Sequence, residues 1–488
     1  FGIIGFILYA SIPAFRQIGF FNFLFGTVWA PDLFNMGLAD ASDVFGILPM
    51  IVNSLLVTIG AIVIGGTIGV FTAIFLVFWC PDKFHLRYEG ENKFLQKVVS
   101  LINKINLRTV FDQIIKLLAG IPPLVYGFFA LEIIVPMLAA MNPEGVGQGL
   151  LACFLILAIM ILPTITSLTK NALEAVPQQY YEGALAMGNT KAQAVFRVVF
   201  PAARSGIISA LILGVGRAVG EAMAVIWVCG NRADFPDGLF SYIRTLTTNI
   251  VMEMGYASSA VHMPALIATG LVLLIIVLLI NLSMNLVPKE FKGKRGEKVL
   301  RGEETVVIYK KKGLIPEILK YVAIVFAALV AVILALIVGF ILVRGLGGLS
   351  WDFLFGEASN GHPTLAPSFA VTGYIILFTL IIALPLGIGA AIYLVEYAKP
   401  GSKVVKVLRT FVDTLSGVPS IVFGLFGMSF FREILGLGYS VLTGSFTMVL
   451  VVLPTIIRST EEALLAVPMP LREASYGLGA SKVRTIFK

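Results

Sequence analysis

An arginine and a glutamate stand inside a long apolar stretch, where charged side chains are costly. The stretch covers residues 206–229 and carries them as Arg217 and Glu221, four positions apart and therefore on one face of a helix. A charge at the bilayer centre costs about 2.5–3.5 kcal/mol on insertion scales, so it normally faces a pathway or a partner. One interpretation is an intrahelical ion pair that only stabilises the helix. The other is an anion relay, in which Arg217 hydrogen-bonds an oxyanion and Glu221 compensates the charge of the empty site.

Two clusters of glycine and proline stand near the starts of apolar spans. The strings GIPP and GVPS carry them, and another glycine follows seven residues after the first glycine of each string. Such residues break or kink a helix and leave backbone groups free for other partners. They are typical of a kinked packing helix or of a backbone contribution to a pathway. The residues are Gly120, Pro122, Pro123 and Gly127 in the first cluster, and Gly417, Pro419 and Gly424 in the second.

A polar segment between spans occurs twice. Residues 162–201 return from residue 453 at an offset of 453 − 162 = 291, without a gap up to Lys488. Two near-identical copies on one side of a membrane favour a docking surface for a symmetric partner over a hairpin that packs only on its own chain. The candidate docking residues are Glu182, Gly183, Ala184 and Gly188 in the first copy, and Glu473, Ala474, Ser475 and Gly479 in the second.

The repeated segment predicts two short helices joined by a turn. Pro177 suits the first helical turn, because it has no N–H to lose there, and Gly188 predicts the stop. Thr190 or Asn189 would cap the second helix. Pro201 would end it.

The composition decides which kind of element carries these residues. Hydrophobic residues make up 58% of the chain and charged residues 13%, against about 25% charged residues in soluble domains. The apolar runs are continuous and about 20 residues or longer, the length that a helix needs to cross a bilayer. The sequence therefore predicts an all-α polytopic membrane protein surrounded by membrane lipid. The net charge of +8 indicates basic cytoplasmic loops rather than nucleic-acid binding.

Metal and nucleophilic chemistry are not predicted. The three cysteines, Cys80, Cys153 and Cys229, lie in or beside apolar runs and have no metal-ligand spacing. The three histidines are scattered along the chain. No acid–base cluster stands within the spans, which disfavours a membrane-embedded enzyme.

Ten apolar runs are predicted to be spans. The first, residues 1–15, is too short to cross alone and is expected to be the outer half of a longer helix. The others are residues 48–79, 115–141, 150–166, 206–229, 265–286, 314–343, 369–397, 412–431 and 442–457. Basic residues place the loop 81–116 and the linker 288–313 in the cytoplasm. The linker predicts a solvated connection beside lipid headgroups, with a regulatory role left open.

Further repetition divides the chain into two halves. LLAGIPPLVYGFF at residues 117–129 is similar to TLSGVPSIVFGLF at 414–426, and GVFTAIFLV at 69–77 is similar to GIGAAIYLV at 387–395. The predicted organisation is a first half at residues 1–287 with its polar loop at 171–201, the linker at 288–313, and a second half at 314–488. An even number of spans between equivalent points predicts parallel repeats with a pathway between them. The second half is expected to be incomplete, lacking two spans.

The polar loop resembles the EAA loop of ABC-transporter import permeases. Glu182-Gly183-Ala184, then Gly188, then residues 198–201 (VVFP) follow the family pattern EAA, three residues, G, nine residues, I-x-L-P. The resemblance implies two six-helix halves whose loops are coupling helices, each seated in a nucleotide-binding subunit. No string here resembles a Walker A loop. A separate ATPase dimer would therefore bind ATP and Mg²⁺, and the chain itself would hold no cofactor.

Two other strings resemble phosphate-specific permeases. RAVGE at residues 217–221 is similar to R-A-x-G-E-T, with Ala222 in place of the threonine, and GIPP and GVPS are similar to the G-[IV]-P-S string of that family. The resemblance implies two fused phosphate permease subunits in a bacterial or archaeal cytoplasmic membrane, supplied by an extracytoplasmic phosphate-binding protein. The alternatives are a permease for sulfate, molybdate or phosphonate, and a secondary transporter.

Overall fold

The computed structural model describes residues 2–81, 106–143, 145–257, 259–283, 314–357, 363–398 and 402–487. Within these ranges the chain is helical, and its β-structure amounts to two isolated bridges. Among the described residues, seven helices are long and apolar enough to cross a membrane, or eight if a bent pair counts as one span. The predicted all-α polytopic fold is confirmed. The linker 288–313 and residues 82–105 of the basic loop lie outside the described residues.

The helices are numbered here in chain order. Up to residue 283 they are α1 (Gly2–Ile18), α2 (Phe20–Phe25), α3 (Pro31–Asn35), α4 (Ala41–Val44), α5 (Leu48–Ala61), α6 (Thr67–Phe78), α7 (Leu107–Gly120), α8 (Pro123–Phe129), α9 (Val135–Met141), α10 (Leu150–Glu174), α11 (Gln178–Ala186), α12 (Lys191–Ala194), α13 (Phe200–Ala202), α14 (Arg204–Val219), α15 (Leu246–Glu253) and α16 (His262–Ser283). After the linker they are α17 (Leu314–Leu346), α18 (Trp351–Phe355), α19 (Ala366–Ile392), α20 (Lys403–Ser416), α21 (Ser420–Phe426), α22 (Val441–Ala466), α23 (Met469–Gly477) and α24 (Lys482–Phe487).

Short π-helical turns join several of these helices into longer elements. The turn Ile62–Gly66 joins α5 and α6 into one span, Leu48–Phe78. Gly65 lies in this turn, and a Cβ there would come within 2.6 Å of the Ala158 carbonyl oxygen in α10. The lack of a side chain therefore allows two spans to approach closely. Further π-turns are Ala130–Ile134, Val195–Val199, Tyr393–Tyr397 and Gly427–Ile434.

Most predicted spans match helices, with two exceptions. The predicted fifth span, residues 206–229, is wrong at its outer end, because α14 stops at Val219 with Gly220 as its C-cap. Its inner end bends by 69° from the preceding helix Lys191–Ala202. The predicted ninth span, residues 412–431, is split between α20 and α21 at the glycine–proline break. Neither piece is among the described helices long enough to cross alone.

One compact unit contains residues Phe20–Met252 and Leu279–Gly347. Its centre is α10, whose buried residues include Ile156, Leu157 and Ile161. Helix α17, which follows the linker in sequence, packs in this unit against α6 and α8. Its Phe326 ring lies 5.8 Å from that of Phe71.

The other compact unit contains residues Phe1–Gly19, Glu253–Leu278 and Gly348–Lys488. Helices α19 and α22 pack extensively against each other in this unit. Gly387 has no side chain there, and Ile456 fills the space. Helix α1 packs here on α21, with the Phe6 ring 5.2 Å from the Phe426 ring. The compact units therefore do not coincide with the two sequence halves, since each contains the first helix of the other half.

Candidate functional site

The first polar loop forms the predicted pair of short helices. Helix α11 starts directly after Pro177, which is its N-cap rather than a residue of its first turn. Gly188 has a φ of 85°, a conformation that costs a glycine little. Its N–H donates to the Leu185 carbonyl at 2.9 Å, and the Asn189 N–H donates to the Ala184 carbonyl at 3.2 Å. The predicted stop at Gly188 is confirmed.

The second helix of the loop is capped by Thr190, one of the two predicted caps. Its hydroxyl accepts from the Gln193 N–H at 3.2 Å, and the Gln193 side chain accepts from the Thr190 N–H at 2.9 Å, which completes a capping box. Pro201 does not end this helix, because the helix continues to Ala202. The Val195–Val199 π-turn just before it alters the local hydrogen bonding, so a residue without an N–H is tolerated.

The second polar loop repeats this backbone. Helix α23 follows Pro468 as α11 follows Pro177, and Gly479 has a φ of 81°. Its N–H donates to the Tyr476 carbonyl at 2.9 Å, as the N–H of Gly188 does to Leu185 in the first loop at the same distance. The two loops therefore have the same helix end.

Both loops expose a glutamate and an apolar tip. Glu182 and Glu473 are exposed at equivalent positions, 473 − 182 = 291. Met187 and Leu478, equivalent by the same offset, are 85% and 89% exposed. Gly183 and Ala474 are also exposed and Gly188 is half-buried, whereas Ala184 is buried against its own chain. In the second loop Ser475 is half-buried and hydrogen-bonds Thr485 at 2.8 Å.

Arg217 and Glu221 do not share a helical face. Arg217 lies in the last turn of α14, exposed, and its Nη1 donates to the Thr164 hydroxyl at 2.7 Å. Glu221 lies beyond the helix end, where its Oε1 accepts from the N–H groups of Met223 at 3.0 Å and Ala224 at 3.3 Å. Among the described residues no ion pair joins Arg217 to Glu221. The prediction that both residues lie on one helical face is therefore wrong, as is the interpretation as an intrahelical ion pair, and Glu221 caps the turn that follows.

A small cavity lies beside Glu221. It has a volume of about 10 Å³ and is lined by residues of α5, α10, α14, the turn after α14 and the start of α15. Ser54, Thr245 and Thr247 supply its hydroxyl groups, and the Thr247 hydroxyl donates to the Glu221 carbonyl at 2.8 Å. A space of this size holds about one water molecule. An oxyanion does not fit there in this conformation.

Both predicted glycine–proline breaks are confirmed. Helix α7 ends at Gly120 and α8 starts at Pro123, with Pro122 extended between them. In the second half α20 ends at Ser416 and α21 starts at Ser420, after Gly417 and an extended Pro419. The Tyr126 hydroxyl donates to the Leu118 carbonyl at 2.6 Å, so it satisfies a backbone acceptor that the break releases.

The glycines that follow the two breaks have different surroundings. A Cβ on Gly127 would lie 2.8 Å from Cδ1 of Trp227 and 3.1 Å from Cα of Ala224. Around Gly424, no described atom lies within 4 Å of that position. Gly127 is therefore a point of close approach between α8 and the turn after Glu221.

The chain matches a family model described as "Binding-protein-dependent transport system inner membrane component" over residues 102–292 and 383–488. It belongs to this family. The matched segments contain both glycine–proline breaks and both polar loops. The family is one of ABC-transporter permease subunits, which are not themselves catalytic. The chain is accordingly a multi-pass membrane permease.

Three relatives match about half or nearly all of this chain. A probable ABC transporter permease protein YqgH of Bacillus subtilis (strain 168) is 36% identical over 49% of this chain and 71% of its own length. A phosphate transport system permease protein PstC of Mesorhizobium japonicum is 32% identical over 53% of this chain and 76% of its own length. A phosphate transport system permease protein PstA homolog of Mycoplasma genitalium is 29% identical over 96% of this chain and 78% of its own length. The last of these matches both halves of this permease on a single chain.

Two residues of the permease site were missed by the sequence interpretation. Thr164 holds Arg217, and Tyr126 closes the first break. Thr164 belongs to the repeated string LPT, which returns at residues 453–455, so the repeat was a usable signal. Tyr126 is replaced by Phe423 in the second half, and the only signal there was a polar atom in an apolar string.

Proposed function

We propose that this chain is the membrane permease of an ATP-driven importer of inorganic phosphate in a bacterial or archaeal cytoplasmic membrane. Each polar loop is a coupling loop, which seats in one subunit of a separate ATPase dimer, and this dimer binds ATP and Mg²⁺. An extracytoplasmic binding protein delivers phosphate to the outer face. The chain contributes the pathway and the coupling surfaces, and it holds no cofactor.

The observation that carries the importer assignment is the pair of matching coupling loops. Each has the same hydrogen-bonded helix end, an exposed glutamate and an exposed apolar tip. Two equivalent loops suit a partner with two-fold symmetry, because a dimer presents the same binding surface twice. A secondary transporter offers no role for such a pair.

Phosphate is supported by the relatives and by Arg217. Relatives named as phosphate permeases match about half or nearly all of the chain. Arg217 offers an exposed guanidinium on a span, where it donates to Thr164 and forms no ion pair with a carboxylate among the described residues. A guanidinium presents a planar fork of N–H donors that matches oxyanion geometry. Since Glu221 is engaged with backbone N–H groups, it leaves Arg217 available to an incoming anion.

Uptake of radiolabelled phosphate into proteoliposomes tests the proposal, with the ATPase and binding protein added to the full chain. Arg217→Ala is expected to reduce ATP-dependent uptake by about tenfold or more, the loss of one charge-assisted contact, while the ATPase still co-purifies. Arg217→Lys retains the charge and is expected to recover part of the uptake. Arg344→Ala, at a 71% exposed arginine on α17, is the matched control and should transport normally.

Glu182→Lys tests the coupling role separately. It is expected to abolish co-purification of the ATPase, because the exposed carboxylate is replaced by a cation. Normal uptake in both Glu182→Lys and Arg217→Ala would refute the proposal. Uptake driven by an ion gradient without ATP would indicate a secondary transporter instead. Competition by sulfate, molybdate or phosphonate as strong as that by phosphate would reassign the substrate.

A further inference from the structure

The two repeats can be compared residue by residue at their cytoplasmic ends. Helices α10 and α22 are related by an offset of 291, α7 and α20 by 297, and α6 and α19 by 318. Backbone hydrogen bonds at matched positions support these registers. They are Ile121 N–H to Leu118 (3.4 Å) with Val418 N–H to Leu415 (3.1 Å), and Cys80 N–H to Phe75 (2.8 Å) with Ala398 N–H to Tyr393 (2.9 Å).

An ion pair joins the same two helices in each repeat, with the charges exchanged. In the first repeat Lys170 of α10 pairs with Asp112 of α7 at 2.5 Å. In the second repeat Glu461 of α22 pairs with Arg409 of α20 at 2.6 Å. The positions are equivalent, since 461 − 170 = 291 and 409 − 112 = 297. The acid is on the shorter helix in one repeat and on the long span in the other.

A second contact also differs between the repeats. The coupling loop meets the end of a span through the rings of Tyr181 and Phe78, whose centroids lie 5.5 Å apart. At the equivalent positions Arg472 pairs with Glu396 at 2.9 Å, and these side chains are only 14% and 9% exposed. The offsets are 472 − 181 = 291 and 396 − 78 = 318. An aromatic contact thus stands where the other repeat has a mostly buried ion pair.

Exchange of helices between the repeats would replace each of these contacts with a less favourable one. Asp112 would meet Glu461 and Lys170 would meet Arg409, so both ion pairs would become like-charge pairs. Where the coupling loop meets the span, Arg472 and Glu396 would each face an aromatic ring. A charge left without its partner in a buried place is costly, and like charges in contact are destabilising.

The similarity of the two repeats makes such an exchange of helices sterically possible. The repeats have the same backbone at these helices, and both are attached to one polypeptide. Helix α17 already packs on α6, and α1 already packs on α21, so each compact unit contains a helix from both repeats. Similar elements that can pair in more than one way need contacts that penalise the wrong pairing.

We propose that these inverted contacts are a pairing code that directs each helix to the helices of its own repeat. The inversion has no effect on membrane orientation, because each ion pair sums to zero charge in both repeats. The proposal does not depend on the transported substrate. Its central prediction is that inverting an intact ion pair in one repeat affects helix pairing only through its relation to the charges of the other repeat.

Two variants with equal numbers of intact ion pairs test this code. The first, called the same-pair variant, is Arg409→Asp with Glu461→Lys. It gives both repeats the same ion pair and removes the repulsion that wrongly paired helices would meet. The second, called the doubly inverted variant, adds Asp112→Arg and Lys170→Glu. Both ion pairs are then inverted, and the repulsion between wrongly paired helices returns. Each ion pair within a repeat is preserved in both variants. The second variant therefore controls for the substitutions themselves.

Thiol cross-linking of the full chain in membranes provides the readout. Cys80, Cys153 and Cys229 are first replaced by alanine. The pair R108C/E174C reports correct pairing, because Arg108 and Glu174 contact each other at 2.5 Å. The pair R108C/L465C reports the wrong pairing, because Leu465 is equivalent to Glu174, 465 − 174 = 291. A bifunctional maleimide traps either state.

The same-pair variant is expected to increase the R108C/L465C product about tenfold over the original sequence, equivalent to about 1.4 kcal/mol. The doubly inverted variant is expected to return to the original level. If the same-pair variant fails to accumulate while the doubly inverted one does, misassembly is again indicated. Equal cross-linking in the two variants, or loss of both, overturns the proposal. Asp112→Arg with Lys170→Glu alone must behave as the same-pair variant does.

Discussion

The helix break after Gly120 in the first repeat and the break after Ser416 in the second have the same backbone. Val125 donates to the Pro122 carbonyl at 3.0 Å, and Val422 donates to the Pro419 carbonyl at the same distance. Their side chains differ, because Tyr126 closes the first break with a hydroxyl that Phe423 lacks. The comparison shows that the two repeats share main-chain geometry at the breaks, while the side chains that hold it differ.

The two polar loops show the same relation. Their helix ends have the same hydrogen bonds, yet an aromatic pair holds one loop to its span and an ion pair holds the other. The shared shape agrees with the proposed symmetric partner, which would need the same docking surface twice. Packing requires only that each shape be stabilised, by whichever chemistry is available.

The largest expected difference between the repeats is in these loop contacts. A double-mutant cycle with alanine at Glu396 and Arg472 is expected to give a coupling free energy of about 2–3 kcal/mol, as for close charge pairs with little solvent. The same cycle at Phe78 and Tyr181 is expected to give about 1 kcal/mol, typical of an aromatic pair. Unfolding of the purified permease in detergent measures both cycles. Equal coupling energies would contradict the comparison.

A smaller difference is expected at the glycines after the breaks. Gly127→Ala is expected to destabilise the permease by about 2 kcal/mol, because the new methyl group overlaps Trp227 and the backbone of Ala224. Gly424→Ala is the matched control in open space, and it should be neutral or stabilise by up to about 1 kcal/mol through helix propensity. The shift in unfolding midpoint gives the sign in each case. Destabilisation by Gly424→Ala as large as that by Gly127→Ala would refute the packing argument.

The smallest expected difference is at the hydroxyl of Tyr126. Tyr126→Phe gives the first break the residue of the second, and it is expected to cost about 1 kcal/mol through the lost hydrogen bond to Leu118. Phe423→Tyr is the reciprocal change, and its hydroxyl is expected to lie near the equivalent carbonyl of Leu415, because the two breaks share their main-chain hydrogen bonds. It should therefore cost less than Tyr126→Phe. A larger cost for Phe423→Tyr would show that the two breaks are not equivalent around the ring.

Sequence interpretation succeeded where local chemistry decides the structure. Gly188 and the glycine–proline clusters were placed correctly, because a positive φ or a missing N–H acts within a few residues. It failed at the end of α14. The apolar run continues to Cys229, and this continuity outweighed the stop signal of Gly220. Glu221 was consequently assigned to a helical face that does not exist.

Contacts between distant residues could be predicted only in part. Asp112 and Lys170 pair across 58 positions, and nothing local to either residue names the other. Arg108 and Asp112 on one helix and Lys170 and Glu174 on another do form complementary sets at i and i+4 spacing. That pattern predicts compatible helices, but not which helices meet.

The amino-acid sequence by itself determined the all-α membrane class, the two repeats with their registers, the breaks and the helix ends of the polar loops. Each of these follows from composition, periodicity or backbone restrictions within a short segment. The tertiary structure alone decided that Arg217 is held by Thr164, that α1 and α17 pack with helices of the other repeat, and that matched positions carry opposite charges in contact. Apolar spans of similar length can pack in many arrangements, so only the assembled fold determines which polar side chains meet.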